Sequence, residues 1–180
     1  LILLAVLCVV ATPHVAESKV LVSLREADTI ALFDDSGNSM GNFVSAGSGG
    51  LDGPVGMTYG PDGNLYVSSF YGNKVLRYHG TTGAFLDTFV ASVFHPSDLK
   101  FGPDGNLYVA SFGDLLDQPP AAMPTIGTDV KRFNGATGVP IDTFATGLQM
   151  PAGLDPKHLE TDLRTKLPDP EEAQISIQVV

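Results

Sequence analysis

An eleven-residue segment that occurs twice constrains the fold of this chain more than any other feature. GPDGNLYVSSF, at Gly60 to Phe70, recurs as GPDGNLYVASF, at Gly102 to Phe112, with ten identical residues and a spacing of 42. A longer pair of similar segments follows, at 75–89 and 130–144, now 55 residues apart. Weaker copies lie at 19–23, 29–43 and 150–154. The second copy carries about 13 extra residues between its two segments, which accounts for the longer spacing. A repeat of this kind indicates a structural unit that is copied along the chain.

Each copy has the pattern of four short strands joined by turns. In the clearest copy we predict strands at 54–59, 65–69, 75–79 and 84–90. Gly and Asn in the intervening PDGN and GTTG segments accept the positive φ that tight turns require, and the strand segments alternate β-branched and aromatic residues with others. Four short antiparallel strands per 42 residues are typical of a β-propeller blade, whereas a β-sandwich seldom repeats its sequence so closely.

The predicted fold class is therefore all-β. We expect a β-propeller of about three four-stranded blades at 19–154, with a short C-terminal helix. The 20 Gly and 13 Pro residues suit such a turn-rich fold. Closed propellers have roughly four to eight blades, so three blades form an incomplete ring. We expect a fragment with blades missing; the alternatives are chains that assemble or a partial disc with open edges.

The repeat resembles the NHL type. The resemblance rests on P-x-[GD]-[LM]-x-[FY]-G-P-D-G-N-L-Y-V-[SA]-S, followed by V-x-R-[YF] and G-x-T-G. Such repeats also occur in gluconolactonase-like and streptogramin-lyase-like six-bladed propellers. The family often has Asp after the YVA segment, where this chain has Ser69 and Ser111. The resemblance implies a divalent metal in the lactonases and a metal-linked His with acids in the lyases, and neither set maps residue by residue onto this chain.

The two ends of the chain differ from the repeats. Residues 1–11 are almost wholly apolar, which fits a signal peptide and falls short of the roughly 20 residues of a membrane span. We predict a signal peptide at 1–18, export to the periplasm or the extracellular space, and no stable membrane span; a retained anchor or a lipid on Cys8 is the alternative. The tail, 155–180, has no assigned role. Its pattern predicts a short amphipathic helix at 156–167 and a weak strand at 175–180.

The charge of the chain limits its partners. Ten basic and twenty acidic residues give a net charge of −10, and no cluster of Lys and Arg offsets it. Because proteins bind nucleic acids through surfaces rich in Lys and Arg, we expect no nucleic-acid partner. A protein, a glycan or a small molecule is the expected ligand.

One end of the strands carries the variable connections, and we call it the loop face. The tight turns lie at the other end, and binding usually evolves on variable loops. The candidate ligand-binding residues on the loop face are Glu26, Asp28, Tyr71, Asn73, Asp98, Asp114, Asp117 and Asp129. The carboxylates among them predict either a divalent cation, calcium being the one that oxygen ligands favour, or simply solvated acids. We predict no other cofactor.

Three functions remain open on the sequence. The first is an exported, non-enzymatic binding scaffold that uses its loop face, including an insertion at about 114–128. The second is a metal-dependent lactonase or lyase. The third is a structural repeat of a larger surface protein. The sequence gives nucleophilic catalysis no positive evidence, and we favour the first function.

Overall fold

Three four-stranded antiparallel sheets make up the described part of the chain. The computed structural model describes residues 19–112, 128–148, 154 and 177–179. The strands are β1 (Val20–Leu24), β2 (Thr29–Phe33), β3 (Ser39–Val44), β4 (Pro54–Tyr59), β5 (Leu65–Ser69), β6 (Lys74–Tyr78), β7 (Phe85–Val90), β8 (Pro96–Phe101), β9 (Leu107–Ser111), β10 (Thr128–Phe133), β11 (Pro140–Leu148) and β12 (Ile177–Val179). The first sheet has the order β12-β1-β2-β3, the second β4-β5-β6-β7 and the third β11-β10-β9-β8. The predicted all-β class and its four-stranded unit are confirmed.

The tight turns between strands are built by the repeated PDGN segments. In the second sheet the Asp62 carboxylate accepts hydrogen bonds from the backbone N–H and the side-chain amide of Asn64 and from the hydroxyl of Tyr66. Asp104, Asn106 and Tyr108 repeat the arrangement in the third sheet. The turn therefore fixes both the hairpin and the first aromatic side chain of the next strand.

The predicted strand limits in the second sheet agree with the structure to within one residue. β4 and β5 have the predicted limits, while β6 begins and ends one residue earlier and β7 begins one residue later than predicted. The predicted weak strand near the end of the chain is present as β12, which pairs with β1 through Val22↔Ile177 and Val20↔Val179. The predicted signal peptide, the insertion near 114–128 and the predicted helix at 156–167 lie outside the described residues.

The apolar core lies between neighbouring sheets. Side chains that pack between the first and second sheets include Leu21, Val44, Met57 and Val67. Between the second and third sheets Tyr66 meets Phe89 and Phe101 edge to face, at ring-centroid distances of 4.8 and 4.9 Å. Contacts join the first sheet to the second and the second to the third, and in the described part of the chain the three sheets do not close into a ring.

Two serines, at positions where the family that the sequence resembles often has Asp, tie the second and third sheets to the connections that lead into them. The hydroxyl of Ser69 donates to the carbonyl of Asp52 and accepts from its N–H, at 3.0 and 2.9 Å. The hydroxyl of Ser111 donates to the carbonyl of Phe94 at 2.6 Å. Each serine thus holds the connection that leads into its own sheet.

Candidate functional site

Three residues at equivalent positions form a row on the loop face. Arg25, Phe70 and Phe112 each follow the second strand of their sheet, and the paired registers of β1, β5 and β9 place them at the same height. The guanidinium carbon of Arg25 lies 4.5 Å from the ring centroid of Phe70. The rings of Phe70 and Phe112 meet edge to face at 5.7 Å. The row therefore runs across all three sheets.

Arg25 is held between two aromatic rings. Its guanidinium carbon also lies 4.8 Å from the ring centroid of Tyr71, and its Nη2 donates a hydrogen bond to the Tyr71 hydroxyl at 2.9 Å. The Nε of Arg25 is buried and finds no hydrogen-bond partner in the described part of the chain. Cation–π contacts of this kind fix the side chain without neutralising its charge. Tyr71 remains 50% exposed and is the accessible surface of this cluster.

His95 extends the row on the buried side. Its ring stacks on Phe70 at a centroid distance of 4.8 Å, and the residue is buried. Its φ is +39°, a region that side chains other than Gly adopt at a cost. The equivalent residue ahead of the second sheet is Gly53, which adopts φ +60° with no such strain. We define the loop-face cluster as Arg25, Phe70, Tyr71, His95 and Phe112.

Two of the predicted ligand-binding residues join consecutive sheets. Asp28 and Asn73 occupy equivalent left-handed positions, with φ of 54° and 55°. The Asp28 carboxylate accepts from the backbone N–H of Gly53 at 2.7 Å. The Asn73 side-chain carbonyl accepts from the backbone N–H of His95 at 2.9 Å. Both side chains therefore anchor the residue that precedes the first strand of the next sheet.

The remaining predicted site residues are separate from one another. Glu26 is exposed in a short 3-10 turn at 25–27. The Asp129 carboxylate lies 3.5 Å from the Nζ of Lys131. Asp98 is buried on β8 and accepts from the backbone N–H of Leu154 at 2.7 Å. Burial raises the pKa of Asp98, and the positive charge of Lys100 opposes that rise. Asp114 and Asp117 lie outside the described residues.

The predicted cation site stays a prediction. Among the described residues, no three His, Cys, Asp or Glu side chains converge in a way that would hold a metal ion. Two of the predicted acids belong to the undescribed insertion. In the ranges that the structure describes, no helix is long and apolar enough to cross a bilayer.

Sequence reasoning missed most of the loop-face cluster. Tyr71 is among the residues predicted from the sequence, whereas Arg25 is not, because the first repeat matches the others only weakly beyond Ser23. Continuing the alignment of the repeats by two residues places Arg25 opposite Phe70 and Phe112. An Arg at a position where the other copies have Phe is the signal that would have found the cluster.

Comparison with solved structures supports the architecture. The chain is similar to hydrazine synthase from Kuenenia stuttgartiensis, with a TM-score of 0.53 and 19% identity over 68% of this chain and 32% of that one. The three sheets are blades of a β-propeller. Virginiamycin B lyase from Staphylococcus aureus has a TM-score of 0.47 at 17% identity, covering 74% of this chain and 39% of the lyase.

The similarity covers only part of each known protein. A functionally unknown protein from Desulfotomaculum acetoxidans has a TM-score of 0.48 at 20% identity, covering 77% of this chain and 41% of that protein. The propeller described here thus spans about a third to two fifths of the length of these structures. No family model and no curated protein matches the sequence.

Proposed function

We propose that this NHL-type propeller is an exported binding module that holds a protein ligand on its loop face. The observation that carries the proposal is the half-exposed Tyr71 ring, which is braced by the guanidinium of Arg25. The apolar segment at 1–11 supports export.

The chemistry of the cluster favours a protein ligand. Tyr and Arg are among the residues that carry most of the binding energy at protein interfaces, since they combine a large apolar surface with hydrogen-bonding groups. Tyr71 is held by its hydroxyl and by the packing of its ring edge to face on Phe70, at 5.2 Å. A braced side chain loses little conformational entropy when a ligand covers it. The expected ligand places an apolar side chain on the Tyr71 ring and a hydrogen-bond acceptor at the guanidinium.

The test compares ligand capture by the chain and by two single variants. Proteins that cross-link to the immobilised chain in medium conditioned by the source cells are identified, and their affinities are measured by surface plasmon resonance. Tyr71→Ala is expected to weaken binding of the true ligand about tenfold or more. Val139→Ser is the matched control, because Val139 is also exposed and lies at the turn end of the third sheet. Equal affinities for Tyr71→Ala and the unaltered chain would contradict the proposal.

A further inference from the structure

The two grooves between neighbouring sheets differ because their connections differ in length. Val44 and Val90 end β3 and β7 at the same register position, opposite Ile30 and Val75 respectively. The connection that follows Val44 has nine residues, 45–53, and the one that follows Val90 has five, 91–95. The groove between the first and second sheets is therefore crossed by a long connection, and the groove between the second and third sheets by a short one.

The groove between the first and second sheets is filled by its long connection. The hydroxyl of Tyr78 donates to the carbonyl of Ser48 at 2.8 Å. The backbone of Gly49 lies so close to the Phe85 ring that a Cβ at this position would collide with the ring. A Gly-rich turn thus occupies the space above the outer strands of the second sheet.

Within the described ranges 19–112 and 128–148, the groove between the second and third sheets is open. It has a volume of about 410 Å³, within the range of small-molecule sites. Its walls include Phe94, Phe133, Pro140 and Ile141. Phe94 and Ile141 are 45% and 46% exposed, which leaves an accessible apolar surface on both sides of the groove.

A lysine lies in this apolar groove where the filled groove has a leucine. Leu76 pairs with Val67 in the second sheet, and Lys131 pairs with the equivalent Val109 in the third. Leu76 is fully buried, whereas the Lys131 side chain is 33% exposed and its Nζ lies 3.5 Å from the Asp129 carboxylate. That distance is too long for a strong charge-assisted hydrogen bond. The ammonium group therefore has capacity for a second, closer anion.

We propose that this groove binds a small amphipathic carboxylate. The apolar body of the ligand packs between Phe94 and Ile141, and its carboxylate accepts hydrogen bonds from the Nζ of Lys131. Asp142, an acid that lines the groove, is already engaged by the guanidinium of Arg132, so it does not compete for the lysine. The site is distinct from the loop-face cluster and does not depend on the function proposed for it.

Calorimetric titration of the full chain with octanoate and with 1-octanol tests this site. Octanoate is expected to bind more tightly than 1-octanol. Lys131→Met is expected to weaken octanoate binding about tenfold, the effect of losing one hydrogen bond to a charged group, and to leave 1-octanol binding unchanged. Failure of octanoate to bind, or equal affinities of the chain and Lys131→Met for it, would overturn the proposal.

A pair of equivalent variants locates the binding. Ile141→Asp is expected to abolish octanoate binding, because it places a carboxylate in the open groove. Leu86→Asp makes the same change at the equivalent position of the filled groove, where Leu86 is 43% exposed, and is expected to leave binding intact. Both positions are exposed, so both variants should fold, which circular dichroism checks. Equal losses in the two variants would place binding outside this groove and refute the site.

Discussion

The buried carboxylate of Asp98 accepts a hydrogen bond from the backbone N–H of Leu154, 56 residues further along the chain. In the second sheet the equivalent residue is Gly56, where a Cβ would collide with the backbone of Asp98 itself. The glycine lets the two inner strands approach closely, and the carboxylate then reaches forward to the residues that follow the third sheet. Asp98 therefore stabilises a contact that the second sheet lacks, at the cost of burying a charge.

The first prediction concerns the pH dependence of this contact. Burial raises the pKa of Asp98 above the ordinary value of 3.8, so the folded state binds its proton more tightly than the unfolded state does. The contribution of Asp98 to the free energy of unfolding consequently falls as the pH rises from below 3.8 through the raised pKa. Asp98→Asn is expected to be more stable than the unaltered chain at neutral pH, with an advantage that shrinks toward acid. Urea unfolding at several pH values measures it, and a constant difference would contradict the expectation.

The second prediction concerns the structural role of Asn73. Asn73→Gly keeps the left-handed backbone but loses the hydrogen bond to His95, so it should cost about 1 kcal/mol. Asn73→Ala adds the cost of a left-handed alanine, for a total of about 2 kcal/mol. Asn73→Asp should be nearly neutral, because Asp28 makes the same contact one sheet earlier. The free energies of chemical unfolding rank the three variants. An Asn73→Ala variant as stable as the unaltered chain would show that the hydrogen bond between Asn73 and His95 contributes little.

The third prediction concerns close approach between sheets. Gly138 has φ +71°, and a Cβ there would collide with the backbone carbonyl of Phe89 in the second sheet. Gly138→Ala should therefore destabilise the fold by about 3 kcal/mol or more. Gly37 has φ +80° with open space around it, so Gly37→Ala should cost only about 1 kcal/mol. Thermal unfolding of both variants tests the difference, and similar midpoints would show that the third sheet can shift away from the second.

The fourth prediction concerns the repeated turn. Burial opposes ionisation of Asp62, but hydrogen bonds from Asn64 and Tyr66 and the charge of Arg77 outweigh it and lower the pKa of Asp62. A lowered pKa contributes stability that is complete above 3.8 and is lost as the pH falls through the depressed value. The Asp62→Asn variant should therefore lose less stability on acidification than the unaltered chain does. Asp104→Asn should behave alike, since its contacts are the same, and unequal acid unfolding curves would mean that the two turns are not equivalent.

The features of this fold that could be predicted are those that depend on residues close together in the sequence. The limits of β4 and β5 follow from a PDGN turn between alternating segments, and both signals act within a few residues. The roles of Asp28 and Asn73 could not be predicted, because their partners are backbone N–H groups 25 and 22 residues away. Such contacts depend on how one sheet is placed against the next. The position of Arg25 can be aligned with those of Phe70 and Phe112, but its contacts could not be predicted, because its neighbours belong to a different sheet.

The pairing of β12 with β1 has a consequence for how the molecule is made. The first sheet contains Val20–Leu24 from near the start of the chain and Ile177–Val179 from more than 150 residues later. During synthesis β1 therefore lacks its partner β12 until the ribosome has made the second and third sheets. Closing so large a loop is slow, and an unpaired strand exposes backbone groups to other chains in the meantime. Aggregation of nascent chains should accordingly depend on how quickly residues 177–179 emerge after β1.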